Sequence, residues 1–156
     1  MCAALKRNKA LHILSHDHHQ GLLLAQLIKK RSPKYKNMPD TINGKKDYSI
    51  RFYKDELIKH FEDEETILFP TVTGKNDEID NIVEEIISEH MRINQIINRL
   101  ESDEDIENTL DELGHLLESH IRKEERILFM KIQEILTADE LNALENQLNR
   151  SRAHND

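Results

Sequence analysis

The stretch "HFEDEETILFP" occupies residues 60–70, and "HIRKEERILFM" occupies residues 120–130. Both obey one pattern, HxxxEExILF. On an α-helix, residues i and i+4 lie on one face with Cβ atoms about 5–6 Å apart. Each stretch therefore aims a histidine and a glutamate at one point. The flanking residues decide where that face looks. Around the first copy, Ile50, Tyr53, Leu57, His60, Glu64, Ile67 and Leu68 recur at steps of three and four. Around the second, Leu110, Leu113, Leu117, His120, Glu124, Ile127 and Leu128 do the same. The two polar pairs thus sit on apolar stripes, the faces that helices bury.

Two more stripes carry a histidine. One is Val83, Ile86, Ile87, His90, Ile93, Ile97 and Leu100. The other lies in "LSHDHHQGLLLA", where "SHDHHQ" offers His16, His18 and His19. Periodicity favours His18, because Leu11, Leu14, His18, Leu22, Ala25 and Ile28 form one apolar face. The face through His19 also carries His12, Ser15, His16, Gln26 and Lys30 and is wetter. Asp17-His18 also matches Glu89-His90. The chain then reads as two similar helix hairpins, each an acid-His helix followed by an HxxxEExILF helix.

The periodicity predicts five helices, at about residues 8–31, 47–69, 77–100, 105–135 and 138–150. A long polar connection with Pro33, Pro39 and Gly44 precedes the second, which should stop near Pro70. "TVTGKND" and "ESDED" are links, and Thr137 with Glu140 reads as a capping box opening the fifth helix. The tail "SRAHND" should be frayed. Short links between long amphipathic helices predict an all-α, up-down-up-down four-helix bundle over about 8–135, with a short extra C-terminal helix. Antiparallel neighbours bring His60, His90 and His120 to similar depths. A length of 156 residues suits one domain.

Composition supports the fold class and narrows the partners. Charged residues make up 33 % and aromatics 4 %, with four Gly, three Pro and no Trp, a profile that disfavours β domains. A net charge of −8 argues against nucleic acid and anionic membranes. No apolar run is long enough to span a bilayer. "MCAALKRNKA" has no apolar core of a secretory leader, and the lone Cys2 fits a reducing cytoplasm. Nine histidines are the excess that needs an explanation.

One core would receive His18, His60, Glu64, His90, His120 and Glu124. Burying an unpaired carboxylate costs several kcal/mol, and no Lys or Arg occupies a stripe near these histidines. A multivalent cation is the natural counter-charge. Imidazole and carboxylate suit iron, manganese or zinc, and no thiolate is at hand. Two facing HxxxE pairs suit two metals with each Glu bridging. Six protein ligands leave two ions under-coordinated, which implies a bridging oxo or hydroxo group and open positions for O₂, peroxide or NO.

The order H…HxxxE…H…HxxxE, the Ile-Leu-Phe-Pro step after Glu65 and the opening "LSHDHHQGLLLA" resemble the hemerythrin-like (HHE cation-binding) domain family over about residues 8–135. The resemblance implies a non-haem di-iron site in a four-helix bundle, with His18, His60, Glu64, His90, His120 and Glu124 as ligands. It also makes iron the expected metal over zinc or manganese. Met130 stands where Pro is usual. Oxygen carriers of the family have a second His four residues from the first on the third helix and an Asp on the fourth. Here those positions hold Ile86 and Asn94, and the fourth-helix acid is Glu124.

Other polar residues are expected to matter less. Glu65 and Glu125 follow the ligand glutamates but point about 100° away, so each should be either a solvated acid, the favoured reading, or an acid behind a ligand. His16 and His19 are candidates for an alternative ligand or a contact behind one. His12, His115 and His154 lie off the stripes and should be at the surface. The fifth helix, with Leu141, Leu144 and Leu148, either covers the bundle end or pairs with a second subunit or another protein. The functional expectation is a cytoplasmic di-iron protein that binds, senses or reacts with O₂, NO or peroxide. The alternatives are a metal-binding or iron-storage module without redox turnover, and a metal-free helical interaction protein. Whether the protein is an enzyme stays open, and no catalytic residue is assigned.

Overall fold

Thr41 starts the second helix. Its side chain accepts from the Gly44 N–H at 3.0 Å, capping a helix that opens at Ile42 rather than at residue 47. The computed structural model describes residues 6–102 and 104–153, and among these the regular structure is entirely helical. A 3₁₀ turn over Lys9–Leu11 leads into α1, His12–Ile28. The second helix, α2, runs over residues 42–72. After the Gly74 turn (φ +81°) and an Asn76 cap comes α3, Asp77–Glu101. The fourth, α4, spans residues 106–135, and α5 spans Ala138–Ala153. No helix among the described residues is long and apolar enough to cross a membrane.

The capping box at α5 forms as expected. Thr137 N–H donates to Glu140 Oε1 at 3.0 Å, and Glu140 N–H donates to Thr137 Oγ1 at 3.1 Å. Pro70 does not stop α2. It sits in the first turn of the Phe69–Val72 segment, where a missing N–H is tolerated.

That segment follows a local widening that the repeat makes twice. In Glu64–Leu68 and again in Glu124–Leu128 the backbone takes a π-helical turn, with the Phe69 N–H reaching Glu64 O and the Phe129 N–H reaching Glu124 O. A π-turn adds one residue to the turn and rotates everything after it. The buried stripe therefore shifts by one residue after each glutamate. Leu68 and Phe69, and likewise Leu128 and Phe129, are at most 2 % exposed. Ile67 is half-buried and Ile127 is 44 % exposed, against the expectation from a regular 3.6-residue period.

Two apolar clusters flank a polar layer. One joins Leu11 and Leu14 of the α1 start, Phe69 and Val72 of the α2 end, Ile79 and Ile86 of the α3 start and Phe129 of α4. The other joins the α1 end, Leu57 and Phe61 of α2, Ile93 to Leu100 of α3 and the α4 start. Consecutive helices thus enter each cluster from opposite ends. Leu141, Leu144 and Leu148 bury α5 in the first cluster, so this helix covers one end of the core within its own chain. α1 and α4 approach closely at Gly114, where an added Cβ would stand 2.8 Å from the Ala25 carbonyl oxygen.

Candidate metal centre

Six side chains fill the layer between the apolar clusters. His18, His60, Glu64, His90, His120 and Glu124 come from α1 to α4, and none is more than 5 % exposed. The two histidine pairs have nearly the same geometry. His18 and His60 rings lie 4.8 Å apart at 64°, and His90 and His120 rings 5.0 Å apart at 62°.

Each carboxylate faces both pairs. Glu64 Oε1 is 2.8 Å from His60 Nε2 and 3.7 Å from His18 Nε2, while its Oε2 is 3.1 Å from His90 Nε2. Glu124 Oε1 is 2.6 Å from His120 Nε2, and its Oε2 is 3.6 Å from His18 Nε2. These atoms crowd together without aligning as hydrogen bonds. All four Nε2 atoms and all four carboxylate oxygens lack a partner, and the Ser15 hydroxyl is the one other buried side-chain polar atom among the described residues in that condition. Native proteins rarely leave buried polar atoms unpaired. Eight such atoms converging on one place is the pattern of a coordination shell. Donor atoms of His18, His60, Glu64 and Glu124 lie within 4.8 Å of one another, and so do those of Glu64, His90, His120 and Glu124. Both glutamates belong to both groups. Nitrogen and carboxylate donors without sulfur suit a borderline or hard cation, so the buried cluster fits a metal site.

The outward ring nitrogens explain why the inward ones are free to coordinate. His18 Nδ1 is 2.6 Å from Glu125 Oε1, and His60 Nδ1 is 2.8 Å from Asp17 Oδ2. His90 Nδ1 is 2.8 Å from Glu65 Oε1, and His120 Nδ1 is 3.0 Å from Glu89 Oε1. A carboxylate accepting from Nδ1–H fixes the tautomer that leaves the Nε2 lone pair pointing inward, the usual arrangement behind a metal-bound imidazole. The pattern is cyclic. α1 supplies the acid for the α2 histidine, α2 for α3, α3 for α4 and α4 for α1.

Of the two readings of Glu65 and Glu125, the favoured solvated one gives way to the other, since both acids back a histidine. Each reaches sideways to the histidine of the neighbouring helix. The sequence does hold the signal, since the second glutamate of HxxxEE and the acid before His18 and His90 occur in both halves. His16 and His19 are exposed and outside both groups, so only His18 of "SHDHHQ" enters the layer. His12 is exposed, with Nε2 3.1 Å from Arg7 O, and His115 is exposed beside Asp111. His154 lies outside the described residues.

Three residues that sequence reasoning passed over back this shell. Arg152 donates to Asp17 Oδ2 at 2.6 Å and to Asp63 Oδ2 at 2.6 Å, so the end of α5 is tied down rather than frayed. Asp63 is 1 % exposed and also accepts from Ser151 at 2.7 Å. Burial raises its pKa, but Ser151, Arg152 and Lys59 outweigh that and hold it below the usual value. Arg7 donates to Glu125 Oε2 at 2.8 Å. Burial also works against the charged Glu125, yet the His18 hydrogen bond and Arg7 bring its pKa to about 2.

The match to known families agrees with this geometry. The model of the hemerythrin HHE cation-binding domain covers residues 9–132. The chain belongs to this family. No curated protein and no solved structure matches it. In this hemerythrin domain the matched span takes in all six inward side chains and the four carboxylates behind them, while Arg7 and Arg152 lie outside it. Membership in a cation-binding family accounts for the buried His/Glu layer as a metal site.

Proposed function

We propose that this chain is a single, cytoplasmic hemerythrin-like domain, an up-down-up-down bundle with an added C-terminal helix. It would hold two iron ions in its polar layer and bind, sense or react with O₂, NO or peroxide there. The observation that supports this most is the set of eight unpartnered inward donor atoms, divided into two four-residue groups that share both glutamates. His18 and His60 would hold one ion, His90 and His120 the other, with Glu64 and Glu124 between them. Iron bound there would supply electrons and an electrophilic site for a small oxygen- or nitrogen-containing ligand.

The protein's own part is orientation and enclosure. The four outward carboxylates fix the imidazole rings. Phe129 stacks on His18 at 5.4 Å and Phe61 on His90 at 3.8 Å, keeping water from the ring faces. The apolar clusters on both sides lower the local dielectric, which strengthens the attraction between the carboxylates and a cation. The donor set also suits zinc, so a metal-binding or storage module without redox turnover is the second reading. A metal-free interaction protein leaves the eight donor atoms without a purpose.

Elemental analysis of anaerobically purified protein, with visible spectra before and after air, tests the proposal. About two irons per chain, with absorption between ~300 and ~400 nm developing in air, is the expected result. Stoichiometric zinc and no spectral change would leave the non-redox reading. No bound metal at all would remove both.

A further inference from the structure

The two halves of the polar layer match at their centre and differ at their backing. Three of the four outward carboxylates are held by a cation. Asp17 is held by Arg152 at 2.6 Å, Glu125 by Arg7 at 2.8 Å and Glu89 by Lys123 at 2.7 Å. Among the described residues no Lys or Arg pairs with Glu65, which contacts His90 alone. Glu65 is also the most open of the four. Its side chain is 41 % exposed, against 16 % for Asp17, 24 % for Glu125 and 13 % for Glu89.

The same histidine borders a cavity, so that space reaches one of the layer's inward side chains. A space of about 470 Å³ between α2 and α3 is lined by His90, Phe61, Tyr53 and Met91, with Glu62 and Glu65 among its polar lining residues. Asn94 reaches across it to donate to the Tyr53 hydroxyl at 2.7 Å. Met91, at 59 % exposure, is a flexible side chain at its edge. On the His18 side, the lining of a space of about 550 Å³ includes Arg7, Ser15 and Glu125 but not His18 or His60. Their backing acids are clamped by Arg7 and Arg152, from the two ends of the described chain.

We infer that the metal position formed by His90 and His120 is the exchangeable one, reached through the α2–α3 cavity with Glu65 as its gate, while the position formed by His18 and His60 is the retained one. The inference rests on the reading that the layer holds two metal ions. Glu65 can leave His90 for water at little cost, because solvent replaces its hydrogen bond and no ion pair is broken. Freed of its acceptor, the His90 ring keeps only its stacking on Phe61 and Phe69, along which it can slide toward the cavity that His90 and Phe61 line, and its Nε2 leaves the site. Asp17 and Glu125 would each have to abandon an arginine as well. The carboxylates of Glu62 and Glu65 raise the local cation concentration at the entrance.

Release of iron(II) from anaerobically loaded protein into an excess of a coloured ferrous chelator tests this. Two phases of about equal amplitude are expected. Glu65→Ala should speed the fast phase about tenfold, in line with the usual weight of a residue behind a metal ligand, and leave the slow phase unchanged. Asp17→Ala should speed the slow phase instead. Met91→Trp, which narrows the cavity, should retard the fast phase, an effect that mere destabilisation cannot imitate. Release of both ions in a single phase, or a fast phase indifferent to Glu65 and Met91, overturns the inference and leaves the two-metal reading standing. Protein that takes up no iron overturns both.

Discussion

His60 donates from Nδ1 to Asp17 Oδ2 at 2.8 Å, and Asp17 is the residue immediately before His18, the ligand candidate of the neighbouring helix. One dipeptide therefore serves two imidazoles, orienting one and supplying the other. Glu89-His90 repeats this for His120, with the Glu89 contact at 3.0 Å. Removing the acid should loosen the histidine without removing a donor from the layer. Asp17→Ala and Glu89→Ala should each lower metal affinity roughly 10–100-fold, measured by competition with a chelator of known affinity. Retained affinity in both would show that the outward hydrogen bonds do not matter for binding.

The glutamates themselves should behave differently. Glu64 and Glu124 are fully buried. The double change Glu64→Ala with Glu124→Ala should abolish binding of both metals, since each carboxylate belongs to both donor groups. Stoichiometry by elemental analysis checks this. A variant that still binds one ion would mean that the glutamates do not bridge.

Metal removal should reverse the protein's pH preference. In the metal-free chain, burial pushes the His60 and His120 imidazoles down, but Glu64 and Glu124 beside them carry both pKa values up to about 9. Groups raised above their unfolded value of 6.5 contribute stability that is fully present below pH 6.5 and is lost as pH rises through 9. The metal-free melting temperature should therefore fall between pH 6.5 and 9.5. Metal affinity should rise over the same range, because protons compete for the same nitrogens. Melting curves with and without a chelator would show both trends.

Gly114 tests the close contact between α1 and α4 beside the second apolar cluster. In an open helix Gly→Ala stabilises by roughly 0.5–1 kcal/mol. Here the new methyl would stand 2.8 Å from the Ala25 carbonyl oxygen, a backbone atom. Gly114→Ala should instead cost about 1–3 kcal/mol in denaturant unfolding. A stabilised variant would mean that α1 and α4 can separate freely.

Arg152 holds the buried Asp63 carboxylate and the Asp17 shell together. Arg152→Ala should cost about 1–3 kcal/mol, mainly by leaving Asp63 short of a donor. Lys59 at 3.1 Å and Ser151 at 2.7 Å still compensate part of its charge. Adding Asp63→Asn should recover part of the loss, since the uncompensated charge is gone. Additive losses in a double-mutant cycle would contradict this coupling.

The helical class, the four His-bearing stripes and the burial of His18 rather than His19 were legible because burial imposes a 3.6-residue period on apolar residues. So was the Thr137–Glu140 box. The limits of α2 were less so. Thr41 is an ordinary threonine until its hydroxyl is seen on Gly44 N–H, and Pro70 reads as a stop only if the helix before it is regular. Ile127 was misplaced because a π-turn leaves no mark in composition; it changes the period within a single turn. Glu65 and Glu125 were judged by their angle on their own helix, whereas their partners lie on the next one. Arg152 is separated from Asp17 by 135 positions, and nothing local announces the contact.

The cyclic order of acids and histidines also bears on how such a chain could have arisen. The first hairpin contains Asp17 and its His60 complete, but its His18 depends on Glu125 and its Glu65 is spent on His90. The second hairpin has the same surplus and the same deficit. Neither could orient both of its own histidines alone, and two identical copies could complete each other. The 156-residue chain thus has the internal logic of a fused homodimer, and the asymmetry between Glu65 and Glu125 is the kind of divergence that becomes open to a duplicated half once its twin is covalently guaranteed.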